Sequence, residues 1–228
     1  LIHKTAIINW KSVSIGKNNI VGPYVVIGTN AQHVSAKTFG KIKIGDNNIF
    51  REFTTVHLPT KLKKITFIGS NCHFMTLSHI AHDCHIESNV VFSNNVTLGG
   101  NTYVMKNSQL GFNVIVHQNQ VIGSYSMLGM GTIVTKKFKV KPGFTYAGNP
   151  IKTIKKNYVG LKRKKITSNN LKNRRMWKRT FQYFLFIFLR GNRLGDFALL
   201  LSLDLLLGHF TYRVISTFCL SHFFCASA

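Results

Sequence analysis

Residues 65–101 read ITFIGSNCHFMTLSHIAHDCHIESNVVFSNNVTLGGN, and an apolar side chain returns at every sixth position: Ile68, Phe74, Ile80, Ile86, Phe92 and Leu98. The same beat begins at Ile44 and continues through Phe50, Val56 and Leu62. Past Leu98 it runs on through Val104, Leu110, Val116, Ile122, Leu128 and Val134 to Val140. That makes seventeen consecutive positions in a chain that is only 45% hydrophobic, so chance does not account for it. Ile15, Val21 and Ile27 keep the same spacing one residue out of phase. A loop or insertion over about Thr29 to Lys41 would absorb that slip.

A second column lies four positions after each apolar site: Cys72, Ser78, Cys84, Val90, Val96, Thr102, Ser108, Val114, Gln120, Ser126 and Thr132. Nearly all of these are small. One large and one small residue every six positions is the requirement of a narrow three-sided solenoid. Each hexapeptide is a short strand, three make a coil of eighteen residues, and the fold is a mainly β, parallel β-helix. A helical reading fails because six is not a harmonic of 3.6, and a meander needs turn signals at longer spacing. Cys72 and Cys84 fall in the small column, so they read as buried packing residues rather than nucleophiles.

The beat fades after Val140, and Pro142, Gly143, Gly148 and Pro150 read as an exit turn. We assign residues 1–147 to the solenoid, 148–190 to a basic, helical C-terminal segment, and 191–228 to an apolar tail. The tail reads as a packing helix, a peripheral membrane contact or foreign sequence. Arg190, Asp196 and Asp204 interrupt it before it reaches the roughly 18 apolar residues of a membrane span. The opening residues carry no signal-peptide pattern, and a chain beginning on Leu1 suggests a truncated N-terminus. Four scattered cysteines give no disulfide framework, which points to a reducing cytoplasm. The net charge of +24 favours anionic partners, and twelve of the thirty basic residues lie between Lys152 and Arg179.

On an eighteen-residue coil, His82 stacks under Gly100 and Gly100 under Gln118, at about 4.8 Å per coil. Asp83 stacks under Asn101, and His117 lies on the same edge. This gathers an acyl-transfer kit: a histidine to take a hydroxyl proton, an acid to fix its tautomer, and a glycine N–H open to an oxyanion. A zinc site of the gamma-class carbonic anhydrase kind fits less well. The spacing of His79, His82 and His85 is three, no pair is five apart, and no metal is expected.

HIAHDC (79–84) within such a repeat resembles the acyl-carrier-protein-dependent UDP-N-acetylglucosamine O-acyltransferases of lipid A synthesis. IGDNNIFREFTTVH (44–57), NNVTLGGN (94–101), VHQ (116–118), GNP (148–150) and NYVGLKR (157–163) follow in the same order. The resemblance covers residue 2 to about 188. It implies a left-handed helix, a homotrimer with sites between subunits, and transfer of a 3-hydroxyacyl chain from acyl carrier protein to the sugar 3-hydroxyl. It implies His82 as general base, Asp83 as its support and Gly100 as oxyanion donor. His79, His117, Gln118, Asn157 and Arg163 match substrate-contacting positions. Met130 matches the floor of the acyl groove, where the family often has glycine, and so implies a shorter chain of about ten carbons. The phosphopantetheine thioester of the carrier is a co-substrate, with no other cofactor and no nucleic acid partner.

The chain departs from the family pattern at Asn101, where a histidine is usual, and at Val159, where an acid is usual. QHVS (32–35) replaces a Q-D-x-K segment, with His33 and Ser35 in place of Asp and Lys. These changes bear on the acceptor more than on the chemistry. Two alternatives stay open: an acetyl-CoA-dependent hexapeptide acetyltransferase acting on a nucleotide sugar, and an inactive scaffold.

Overall fold

The computed structural model describes residues 1–36 and 39–166. Those residues form a left-handed parallel β-helix whose short strands wind into three sheets, of seven, six and eight strands. From Ile65 upward, successive coils pair at a spacing of eighteen, as in His79 with Thr97, His85 with Tyr103 and Val91 with Gln109. Sixteen of the seventeen positions on the six-residue beat are buried and fill the interior. Phe50, Phe74 and Phe92 form its aromatic column, with ring centroids 5.0 and 5.1 Å apart.

The small column closes the corners. Hydroxyls of Ser78, Thr102, Ser108, Ser126 and Thr132 each donate to the carbonyl three residues earlier, at 2.6–2.7 Å. These side chains are buried, and the bonds satisfy both the hydroxyl and a turn carbonyl. Cys72 and Cys84 occupy the same slots and are buried; burial pushes their thiols up to about 11 and about 12.

A third column went unread in the sequence. The corner residues at 71, 77, 83, 89, 95, 101, 107, 113, 119 and 125 all have φ between 57° and 63°. Seven of these ten are asparagine, the residue besides glycine that best tolerates the left-handed region.

Two expectations are corrected. Leu62 is not interior but 69% exposed, on a loop over 58–64. Lower coils pair at a spacing of 24 there (Thr55 with His79, Ile65 with Lys41), six more than eighteen. An insertion equal to one repeat leaves the beat in phase, so the sequence concealed it. The other insertion lies where the slip in the beat placed it, between the strands Val26–Thr29 and Lys41–Ile44.

The segment from residue 148, expected to be helical, begins as a hairpin. Phe144–Ala147 continues the eight-stranded sheet above Met127–Leu128. After a turn with Gly148 at φ 94°, Lys152–Lys156 runs back antiparallel along it. All five residues of that last strand are exposed and three are lysine, a composition that discourages further pairing at a sheet edge. Helix α1 follows at Tyr158–Arg163. The expected basic helix beyond residue 166 and the tail at 191–228 lie outside the described residues. Among the described residues, no helix is long and apolar enough to cross a membrane.

The corner geometry gives a test. Asn107→Gly should leave stability nearly unchanged. Asn107→Val forces a β-branched residue into the left-handed region and should cost about 1–2 kcal/mol, read from the urea-unfolding midpoint.

Candidate active site

Both insertions emerge between the seven- and six-stranded sheets, directly below the corner at residues 81–84. They pack on one another. Leu58 N–H donates to Thr29 O at 2.9 Å, and Lys41 N–H donates to Lys64 O at 3.3 Å. Gly40 sits where any Cβ would collide with the carbonyls of Lys61 and Lys64. The repeat therefore thickens at one corner, and His82 stands on it.

The His82 side chain is 8% exposed, and its Nδ1–H donates to Asp83 Oδ2 at 2.8 Å. Asp83 fills a corner slot at φ 60° where neighbouring coils carry asparagine. Its N–H donates to Thr66 Oγ1 at 3.0 Å. The 58–64 loop reaches up to the same carboxylate: Thr60 donates to Oδ2 from Oγ1 at 2.9 Å and from N–H at 3.3 Å, and Lys64 Nζ pairs with Oδ1 at 3.0 Å. Burial pushes the Asp83 carboxyl up. Hydrogen bonds from His82, Lys64 and Thr60 outweigh that and hold it well below the usual carboxylate range. Asp83 is thus a fixed anion that holds His82 by Nδ1, and Nε2 has no hydrogen-bond partner among the described residues.

Three further imidazoles surround the pair. His33 meets His82 edge-on at 5.4 Å, and His57 meets His79 edge-on at 4.9 Å. His79 Nδ1 lies 2.8 Å from the Thr55 hydroxyl. Burial first, then His79 and His82, push the His57 imidazole down to about 4. Burial and His82 lower His79 as well. His57 and His79 are thereby held in the neutral form near pH 7, so they add no positive charge that would oppose a proton arriving on His82. Among the described residues, no group of His, Cys, Asp and Glu is arranged to hold a metal ion.

Gly100 lies one coil up, where any Cβ would strike the His82 ring. Its carbonyl accepts from Asn119 N–H at 2.9 Å, and its own N–H has no acceptor among the described residues. Asn101 N–H donates to His82 O at 3.0 Å, which locks the two coils together. His79, His82, Asp83 and Gly100 therefore share one corner. Gln118 and His117 stand exposed on the next coil, where the His117 ring donates to Gln118 O at 3.0 Å.

The other expected residues lie elsewhere on the chain. Asn157 caps helix α1, accepting from Gly160 N–H at 3.1 Å and donating to Tyr125 O at 2.9 Å. Arg163 and Asn157 line a groove of about 280 Å³ on the eight-stranded face with Gln109 and Met127. Met130 is 73% exposed at the corner between the eight- and seven-stranded faces. Within one chain these do not meet His82. The third histidine of the run, His85, stacks its ring between Phe67 and Tyr103, with centroids 4.6 and 4.5 Å away. Sequence reasoning missed His57, Thr60 and Lys64, because the loop that carries the last two hides inside the period.

Residues 65–100 match the family model described as bacterial transferase hexapeptide (six repeats). An acyl-[acyl-carrier-protein]–UDP-N-acetylglucosamine O-acyltransferase of Syntrophobacter fumaroxidans is 42% identical over 69% of this chain and 62% of its own length. The enzyme of that name from Gloeothece citriformis is 30% identical over 65% of this chain and 54% of its length. The chain thus spans little more than half to about three-fifths of these curated relatives. Among solved structures, the UDP-N-acetylglucosamine O-acyltransferase of Moraxella catarrhalis aligns at 31% identity and TM-score 0.59, over 75% of this chain and 80% of that one. The Bacteroides fragilis enzyme aligns at 29% identity and TM-score 0.70, over 75% and 67%.

The buried histidines give a pH dependence. Unfolded, His57 takes its proton near pH 6.5, and folded it does so near 4. Between these values the unfolded state binds more protons, so stability rises with pH and is lost on acidification. His57→Leu should flatten the fall in urea midpoint between pH 6.5 and 4, retaining about 2 kcal/mol that the parent loses.

Proposed function

Because the chain belongs to the acyl-[acyl-carrier-protein]–UDP-N-acetylglucosamine O-acyltransferase family, we propose that it catalyses the first step of lipid A synthesis. It moves a 3-hydroxyacyl chain from acyl carrier protein to the 3-hydroxyl of UDP-N-acetylglucosamine. The observation that carries this reading is the His82–Asp83 pair at 2.8 Å with Gly100 directly over the ring.

His82 Nε2 takes the proton of the sugar hydroxyl as its oxygen attacks the thioester carbonyl. Asp83 stabilises the imidazolium that forms. The carbonyl oxygen of the tetrahedral intermediate gathers negative charge facing Gly100 N–H. The intermediate then expels the phosphopantetheine thiolate, which takes the proton back from His82. Each proton and electron pair is accounted for without a further cofactor.

His79, His117 and Gln118 extend from the same edge towards the acceptor, and His33 stands where the family carries an acid. Arg163 suits a phosphate of the nucleotide or of the carrier's prosthetic group, since guanidinium–phosphate pairs are bidentate and strong. Its place on the eight-stranded face fits a homotrimer in which one copy supplies the His82 corner and its neighbour the Arg163 groove. The strongly basic surface attracts acidic acyl carrier protein, and a cytoplasmic location supplies both substrates. Met130 then closes the acyl groove and shortens the chain it accepts.

His82→Ala should lower kcat by about 10²–10⁴-fold with the fold intact by circular dichroism; an unchanged rate overturns the assignment of the base. Rates with C10 and C14 acyl carrier protein donors should favour C10, and Met130→Gly should move the preference towards C14 by roughly tenfold or more. Acetyl-CoA should give no turnover.

A further inference from the structure

We propose that the inserted loop 58–64 is a positioning device for catalysis, in which Thr60 and Lys64 together fix Asp83 and set the protonation of His82. The inference rests on the assignment of His82 as base and adds two residues to it that touch neither substrate nor reacting atoms.

The geometry is specific. Asp83 Oδ2 accepts from His82 Nδ1–H, Thr60 Oγ1–H and Thr60 N–H, and Oδ1 forms an ion pair with Lys64 Nζ at 3.0 Å. The Asp83 side chain is 3% exposed while that of Lys64 is 24% exposed, so the pair is only partly screened by water. The loop is held from below as well. Leu58 is buried, and the backbone of Lys64 bonds both Lys61 and Lys41. Thr60 and Lys64 thus approach the carboxylate from an anchored segment, not from a free side-chain tether.

The two residues do different work. Thr60 occupies the Asp83 oxygen that also serves His82, so it fixes the angle at which the imidazole is held. Lys64 brings a charge. An unbalanced Asp83 carboxylate would favour the imidazolium form of His82 and withdraw it from service as a base. Lys64 offsets that charge, so Asp83 orients the ring without trapping its proton. The other titratable groups facing His82 are His33, His57 and His79, all imidazoles. Lys64 is therefore the fixed cation beside the pair among the charged groups bonded to Asp83.

The test uses the full chain with Lys64→Met, Lys64→Arg and Thr60→Val. It reads pH–rate profiles and the pH titration of the His82 imidazole by 1H–15N NMR, after circular dichroism confirms folding. In Lys64→Met, the acid limb of kcat/KM and the imidazole titration should both move upward by about half to one pH unit. Lys64→Arg should return both to the parent position. Thr60→Val should lower kcat by about three- to tenfold with KM little changed and the acid limb in place. An unmoved titration in a folded Lys64→Met protein overturns the proposal, as does an equal shift in Lys64→Arg. If the parent turns over none of the acyl donors, the acyltransferase reading fails instead, and the NMR titration still decides whether Lys64 governs His82.

Discussion

A three-sided solenoid with six residues per side has room inside for one large side chain on each side, and its chain must turn left-handedly at every corner. Those two requirements generate the rest of the molecule. Phe, Ile, Leu and Val fill the interior column, and small residues fill the corner slots beside it. Their hydroxyls cap the carbonyls that the turn leaves without a strand partner. Asparagine dominates the corner position because it enters the left-handed region at low cost. Every coil is pinned to the ones above and below, so a side chain at a corner is held by backbone pairing on both sides.

That rigidity is what the site exploits. Asp83 takes a corner slot that asparagine would fill for conformational reasons alone, and thereby gains a fixed direction for its carboxylate. His82, one residue earlier, is confined between Gly100 above and the inserted loops below. The repeat can supply one such corner residue per coil, but it cannot supply donors from several directions. The insertions do. They bring Thr60 and Lys64 to Asp83 and His33 to His82, at the cost of one register shift at Thr29 where both insertions leave the sheet.

The fold was legible in the sequence because its requirement is periodic. Sixteen of the seventeen apolar positions are interior, and the slip between Ile27 and Ile44 marked a real insertion. The eighteen-residue coil also placed Gly100 over His82 correctly. What escaped was what the period conceals or does not govern. The 58–64 loop has the length of one repeat, so Leu62 kept the beat while standing in solvent. Thr60 and Lys64 reach Asp83 along the path of that loop, which no spacing rule reports, and His57, at the end of the strand before it, meets His79 ring to ring. The strand Lys152–Lys156 was missed because Ile154 is its one apolar residue and no alternation marks it, and it is placed by the sheet edge beside it rather than by an apolar face.

The same rigidity bears on how the proposed reaction could be completed. His82 sits between the seven- and six-stranded faces, whereas Arg163 and its groove lie on the eight-stranded face. A prism built on continuous backbone ladders cannot bend to bring a face and the opposite corner together. If both contribute to one substrate, two copies must do so, the corner of one against the face of the next. Such a head-to-tail contact uses different surfaces on each partner, so it either closes into a ring or extends without limit. Three copies turned about an axis parallel to the solenoids close it with three equivalent sites. On this argument a lone chain would hold half of each proposed site, and the proposed homotrimer is one closed ring that would complete it.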